Sequence, residues 1–177
     1  ANLLKIKADC LVLATGKELS DTAKSLDENL GGTVSRLIKS GDFTGKAAES
    51  CVVQGAQGNF PRIVLLGIDG ALSAQKIIAT VAAGAKSVLS TPSAKVLWVA
   101  DALGNDAEWR AAIIARNTVT GAYQYKGTGK KPTPKKLKST VVWCPTKSAA
   151  NATKIGLNYG SAVGSGMNTA RQLGNLP

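Results

Sequence analysis

The chain has 177 residues, 44% of them apolar but only 5% aromatic, which is enough for one α/β domain whose core is built from Ala, Val, Leu and Ile. It contains no histidine, so the commonest zinc ligand and the commonest general base at neutral pH are both missing. Its net charge of +11 is segregated: residues 1–108 hold eleven basic and all eleven acidic side chains, whereas residues 109–177 hold eleven basic and no acidic ones. Cys10, Cys51 and Cys144 are odd in number and far apart, which suits small buried thiols in a reducing, cytoplasmic compartment. No apolar run reaches the ~18 residues of a membrane span, and the start has no charged-apolar-small leader, so membrane contact is not expected.

In chain order, Leu3–Lys7 alternates weakly and predicts a half-exposed strand. Cys10-Leu11-Val12-Leu13-Ala14 is continuously apolar and predicts a strand buried on both faces, as in parallel sheets. Ser20-Asp21-Thr22 caps a helix that carries Leu26, Leu30, Val34 and Leu37-Ile38 to about Ser40, broken or kinked at Gly31-Gly32. Ser50–Gln54 and Arg62–Ile68 predict two strands, joined as an antiparallel hairpin by the turn-forming stretch Gly55–Pro61. Ser73 caps an alanine-rich helix running to about Leu89, and Lys95–Ala100 predicts a further buried strand. Asn105 or Asp106 caps a helix with Trp109, Ile113, Val119 and Tyr123 on its face, and Thr140–Cys144 is the last strand.

A final helix spans Ala149–Leu173, with Ile155, Tyr159, Val163 and Met167 at four-residue steps. Gly156, Gly160 and Gly164 step along a neighbouring stripe; glycine costs helix stability, so such a stripe marks close packing on another backbone. Gly174 and Pro177 punctuate the end of the helix. The sum of these elements is a three-layer α/β/α sandwich with a mostly parallel, mixed sheet, an architecture shared with macro-domains.

The chemistry-bearing patterns are sparse. Without histidine, a Ser or Cys nucleophile has no triad partner, and the acids are scattered singly except Asp27-Glu28, which face different ways on a helix. Gly127-Thr128-Gly129-Lys130-Lys131 ends like a phosphate-binding loop, but Gln124 stands where the first Gly belongs and Lys131 where Ser or Thr belongs. Gly164-Ser165-Gly166 lacks the strand-then-helix frame of a dinucleotide fingerprint. A macro-domain-type nucleotide-sugar binder therefore lacks its phosphate loop. The acid-free segment 123–147 remains. Its Lys126, Lys130, Lys131, Lys135, Lys136 and Lys138 are candidates for contact with a nucleic-acid backbone, and Pro132 and Pro134 keep its middle extended. A solvated loop, or one packed on an acidic neighbour, is the alternative reading of the same lysines.

Several segments resemble the N-terminal domain of the leucyl (cytosol) aminopeptidases: Asp9–Leu13, Gly41-Asp42-Phe43-Thr44-Gly45-Lys46, Phe60–Gly67, and a shortened Gly121–Lys126. The fullest match is Asn168-Thr169-Ala170-Arg171-Gln172-Leu173-Gly174-Asn175-Leu176-Pro177, which resembles that family's interdomain junction with Gln172 where Asp is usual. The resemblance implies an accessory domain over residues 1–166 and a linker over 167–177 leading to a catalytic domain, with Arg171, Asn175 and Pro177 at the junction. It implies a hexameric enzyme that removes N-terminal residues from peptides with two divalent ions, manganese or zinc. The signature stretches of that catalytic part are absent from these residues, so no catalytic or metal-binding residue and no cofactor is assigned to this chain. Some bacterial members also bind duplex DNA, which fits the segregated charge; a DNA-binding accessory module is the alternative reading. The severed-linker reading predicts that Leu176-Pro177 is poorly ordered.

Overall fold

The strands that carry uninterrupted apolar runs stand at the centre of one sheet, and both faces of that sheet are covered. The computed structural model describes residues 3–56, 58–70, 72–125 and 135–175. Five strands, β1 (Cys10–Thr15), β2 (Ser50–Gln54), β3 (Arg62–Gly67), β4 (Lys95–Val99) and β5 (Ser139–Val142), lie in the order β2-β3-β1-β4-β5. The pairs β1–β3, β1–β4 and β4–β5 are parallel, and β2 runs antiparallel to β3. All six residues of β1 are buried, whereas edge strand β2 alternates exposed and half-buried positions, as expected for inner and outer strands.

Side-chain alternation sorts the strands into two cores. Leu11, Leu13, Ile63, Leu65, Leu97 and Val99 meet Leu26, Leu30, Val34, Phe43 and Phe60 on one face. Val12, Val64, Leu66, Val96 and Trp98 meet Ile77, Val81, Val88, Ile113 and Ile114 on the other. The first face is roofed by α1 (Asp21–Asn29) and α2 (Thr33–Ser40), the second by α3 (Ala74–Ser90) and α4 (Ala107–Gly121). This is the three-layer sandwich with a mixed, mostly parallel sheet.

Local chemistry sets the helix boundaries. Ser20, Ser73, Asp106 and Thr146 cap α1, α3, α4 and α5 (Lys147–Gly174) by accepting a backbone N–H three residues on. Gly31 and Gly32 take φ of 64° and 70° and divide the first helical stretch into two. The start of α2 has no capping side chain of its own. The buried carboxylate of Asp27 instead reaches across from α1 and accepts from Val34 N–H at 2.7 Å, from Ser35 N–H at 3.2 Å and from the Ser35 hydroxyl.

One expectation is corrected. Leu3–Lys5 is a 3₁₀ turn where a strand is predicted, closed by Ile6 N–H donating to Leu3 O at 3.2 Å. The weak alternation there reflects Leu3, Leu4 and Ile6 all turning inward onto the α1/α2 core. On α5 the row Ile155, Tyr159, Met167 faces outward: these side chains are 56%, 66% and 41% exposed. It is the glycine stripe that docks α5. A methyl group on Gly156 would collide with Glu108 O, and one on Gly160 with Ala112 O; at Gly164 it would meet the Val119 side chain at 2.9 Å. Two helices thus touch backbone to backbone.

That seam makes a paired prediction. Gly160→Ala lowers the unfolding free energy in urea by about 1–3 kcal/mol, the cost of overpacking a tight contact. Gly166→Ala, on the same helix with nothing within 4 Å of the added methyl, raises it by about 0.5–1 kcal/mol. Equal effects at the two positions would show that the helices are not in contact along the stripe.

Candidate functional site

In an open parallel sheet the ligand crevice lies beyond the carboxyl ends of the strands. Here that end is filled by the chain itself. Asp69, just past β3, accepts Lys17 N–H at 2.9 Å through Oδ1, and its own N–H donates to Gly45 O at 2.7 Å. A methyl on Gly67 would overlap Lys46 O, so the 45–46 backbone lies directly on the end of β3. Glu49 braces this loop by accepting Thr44 N–H at 3.0 Å, the Thr44 hydroxyl at 2.7 Å and Lys46 N–H at 3.1 Å. Burial alone would raise the Glu49 carboxyl; the hydrogen bonds from Thr44, Lys46 and Gly45 outweigh it and hold the group below the ordinary glutamate value. Past β4, Asp101 accepts from the Thr22 hydroxyl at 3.1 Å, which ties α1 to the same end of the sheet.

The N–H groups of Lys95 and Ala94 donate to Asp9 and hold its carboxyl below the ordinary value, while packing explains the other perturbed groups. Burial pushes the Cys10 thiol up to about 11 and raises that of Cys51. Burial lowers Arg110, opposed by Asp101, Cys144 and Asp106, and its guanidinium donates to Gly104 O in the turn that precedes α4. Among the described residues, no three His, Cys, Asp or Glu side chains are grouped so as to hold a metal ion. No described helix is long and apolar enough to cross a membrane.

A second region gathers positive charge. Between α3 and α4 lies a cleft of about 490 Å³ with Ala82, Ala85, Leu89 and Gly121 on its floor and Lys86, Asn117, Thr120 and Lys135 around it. Lys135 Nζ sits 3.5 Å from Leu89 O at the C-terminal end of α3, where a cation also offsets the helix dipole. Lys136 and Lys138 are exposed on the strand-ward side of Lys135. Of the six lysines singled out in the sequence, Lys126, Lys130 and Lys131 lie outside the described residues. Lys86 was missed: it belongs to the charge-balanced part of the sequence, and only the fold brings it to the same cleft as Lys135.

The junction residues are tied to the end of α4. Arg171 donates to Thr120 O at 3.2 Å and stacks 5.9 Å from the centre of the Tyr123 ring. Tyr123 Oη bonds Gln172 at 3.2 Å, and Tyr125 Oη donates to Asn175 O at 2.6 Å. Asn168 donates to Val119 O at 3.0 Å. Leu176 and Pro177 lie outside the described residues.

The profile of the cytosol aminopeptidase family, N-terminal domain, matches residues 11–132. The chain belongs to that family, in its N-terminal domain. Over 178 residues it is 30% identical to the probable cytosol aminopeptidase of Alcanivorax borkumensis, a match that covers 99% of this chain and 36% of the relative. The chain thus spans little more than a third of that relative's length. A mutant tomato leucine aminopeptidase shares the fold over 100% of this chain and 37% of its own, with a TM-score of 0.77 at 20% identity. A Trypanosoma brucei macrodomain in complex with ADP-ribose also shares the fold, covering 89% of this chain and 64% of its own, with a TM-score of 0.65 at 12% identity. In the cytosol aminopeptidase domain described here, Asp69 and the Gly45-Lys46 backbone occupy the carboxyl end of the sheet.

Because the folded Glu49 carboxyl titrates below its unfolded counterpart, its stabilisation is present above the ordinary glutamate pKa of about 4.3 and is lost as pH falls through the depressed value. Glu49→Gln therefore destabilises the domain near pH 7, and the gap to the wild type closes on acidification below about pH 4. Urea unfolding from pH 7 to 3 measures this; a gap that widens with acid would contradict it.

Proposed function

We propose that this chain is a non-catalytic accessory domain of a cytoplasmic aminopeptidase that removes N-terminal residues from peptides. The observation that carries this reading is the family match together with a leucine aminopeptidase fold that covers the whole chain. The two divalent ions that such an enzyme needs, manganese or zinc, do not fit here. The chain has no histidine, and among the described residues no carboxylate or thiol cluster offers three ligands. Metal and peptide binding are therefore assigned to the portion of the enzyme outside the matched segment, and this domain is assigned a supporting part in assembly of the homohexamer. On this reading residues 1–166 form the accessory domain and residues 167–177, with Arg171, Asn175 and Pro177, lead towards that portion. The purified chain, supplied with manganese or zinc, releases no leucine from leucine p-nitroanilide above the buffer rate. Turnover that stays with the chain through purification and is abolished by a chelator would overturn the reading.

One observation favours a second role. Lys86 and Lys135 face one cleft, Lys136 and Lys138 continue the charge, and the region beyond residue 108 has no acid to oppose a polyanion. This supports contact with the phosphate backbone of duplex DNA rather than reading of bases, since lysine is a point charge without the bidentate fork of arginine. Binding to duplex DNA should then fall steeply with salt, and a Lys86→Gln/Lys135→Gln variant should bind more weakly with a shallower salt slope, by about one to two units. Binding indifferent to both salt and these substitutions would dismiss the role.

A further inference from the structure

The last strand of the sheet, β5, is paired with β4 on one side and with no described strand on the other. In a parallel ladder the backbone groups of successive residues turn to opposite sides. Ser139 and Trp143 donate their N–H to Ala94 O and Trp98 O at 3.0 and 2.8 Å, towards β4. The N–H and C=O groups of Thr140 and Val142 therefore turn outward, and Val142 O receives the Cys144 thiol, a weak donor, at 3.7 Å. An edge strand is ordinarily blunted by a charge, a proline or a bulge. Ser139-Thr140-Val141-Val142 contains none of these, keeps a continuous register with β4, and is rich in the residues that favour pairing. Beside this edge a groove of about 290 Å³ opens between Thr140, Val142 and Cys144 on one wall and Ala150, Lys154 and Leu157 of α5 on the other. The Cys144 thiol donates to the buried Thr153 hydroxyl at 3.2 Å and ties the two walls together at one end.

We propose that the outer edge of β5 is a docking site for an acidic, extended segment of another protein, which adds to the sheet as a further strand and seats alternate side chains in the groove. Main-chain hydrogen bonds to Thr140 and Val142 supply the affinity, and the groove supplies the preference for side chains, as strand addition does generally. Charge selects the occupant. Lys138 is exposed immediately before β5, Lys154 lines the groove, and Lys147 opens α5 beyond the other end of the strand. No acid follows Glu108 in the sequence to neutralise them. A second copy of the chain is disfavoured on the same ground. Antiparallel pairing of two β5 strands would bring Lys138 of each towards Lys147 of the other, cation against cation. A segment that alternates carboxylates with β-branched residues meets the lysines with opposite charge and the groove with apolar side chains. This role is additional to the accessory-domain reading and does not rest on it.

The test titrates the whole chain into a fluorescein-labelled peptide that alternates glutamate with valine and is blocked at both ends. Binding is read by fluorescence anisotropy, and its place on the chain by amide hydrogen exchange. The expected result is saturable one-to-one binding that slows exchange at Thr140 and Val142. Methylation of alternate backbone nitrogens in the peptide removes its bonds to the edge and weakens binding by about tenfold or more. Thr140→Pro does the same from the side of the protein, because an edge strand tolerates proline where the lost N–H faces outward. Lys138→Gln/Lys154→Gln weakens binding and flattens its salt dependence, whereas Lys86→Gln/Lys135→Gln, in the cleft between α3 and α4, leaves it unchanged. The methylated peptide is measured against the unaltered chain, so the strand-pairing arm stands even where a substitution costs stability. The proposal is overturned by the absence of binding at low salt, by polyglutamate that binds as tightly as the alternating peptide, or by indifference to backbone methylation. Protection of Ser50–Gln54 in place of β5, or self-association of the chain that protects Thr140 without peptide, overturns it equally.

Discussion

Helix α4 is gripped from two sides, and the arrangement of the C-terminal third of the chain depends on that grip. Its apolar side sends Ile113 and Ile114 into the sheet. Its opposite side presents carbonyl oxygens to the glycines of α5. Glycine in a helix interior costs about 0.5–1 kcal/mol relative to alanine, so three in register are kept only where close approach returns more through dispersion. The approach has a geometric result. Because α5 uses its narrow stripe to dock, its bulky stripe is turned outward.

The sheet and its helices were largely legible in the sequence, because their signals are local. The apolar runs of β1, β3 and β4 announce strands buried on two faces, and Ser20, Ser73 and Asp106 announce helix starts. The glycine stripe of α5 also declared its role correctly. What stayed hidden is what depends on tertiary neighbours. Asp27 reads as a surface acid within a helix, and it caps the next helix only because Gly31-Gly32 folds the chain back. Leu3, Leu4 and Ile6 imitate a strand because a short turn can also bury alternate side chains. The row Ile155, Tyr159, Met167 shows in the sequence only as an apolar face, because periodicity is silent on what covers such a face.

The candidate sites divide along the same line. Lys135, Lys136 and Lys138 were visible as a run of like charge, but Lys86, fifty residues earlier in a neutral region, joins them only through the packing of α3 beside α4. The closed carboxyl end of the sheet could not be read at all. It is made by Asp69, Lys17 and Gly45, which are far apart in sequence and unremarkable individually. Shared architecture with a macrodomain that binds ADP-ribose therefore says little about this chain, since the end of the sheet where ligands settle in such folds holds a carboxylate and a backbone loop.

Helix α5 is continuous from Lys147 to Gly174, about 42 Å of unbroken backbone hydrogen bonding. It is pinned along its glycines and again near its end by Tyr123, Tyr125 and Arg171. A rod held at two separated stations transmits both position and torque. The position and direction of the chain at Asn175 are therefore set by α4 and, through it, by the sheet.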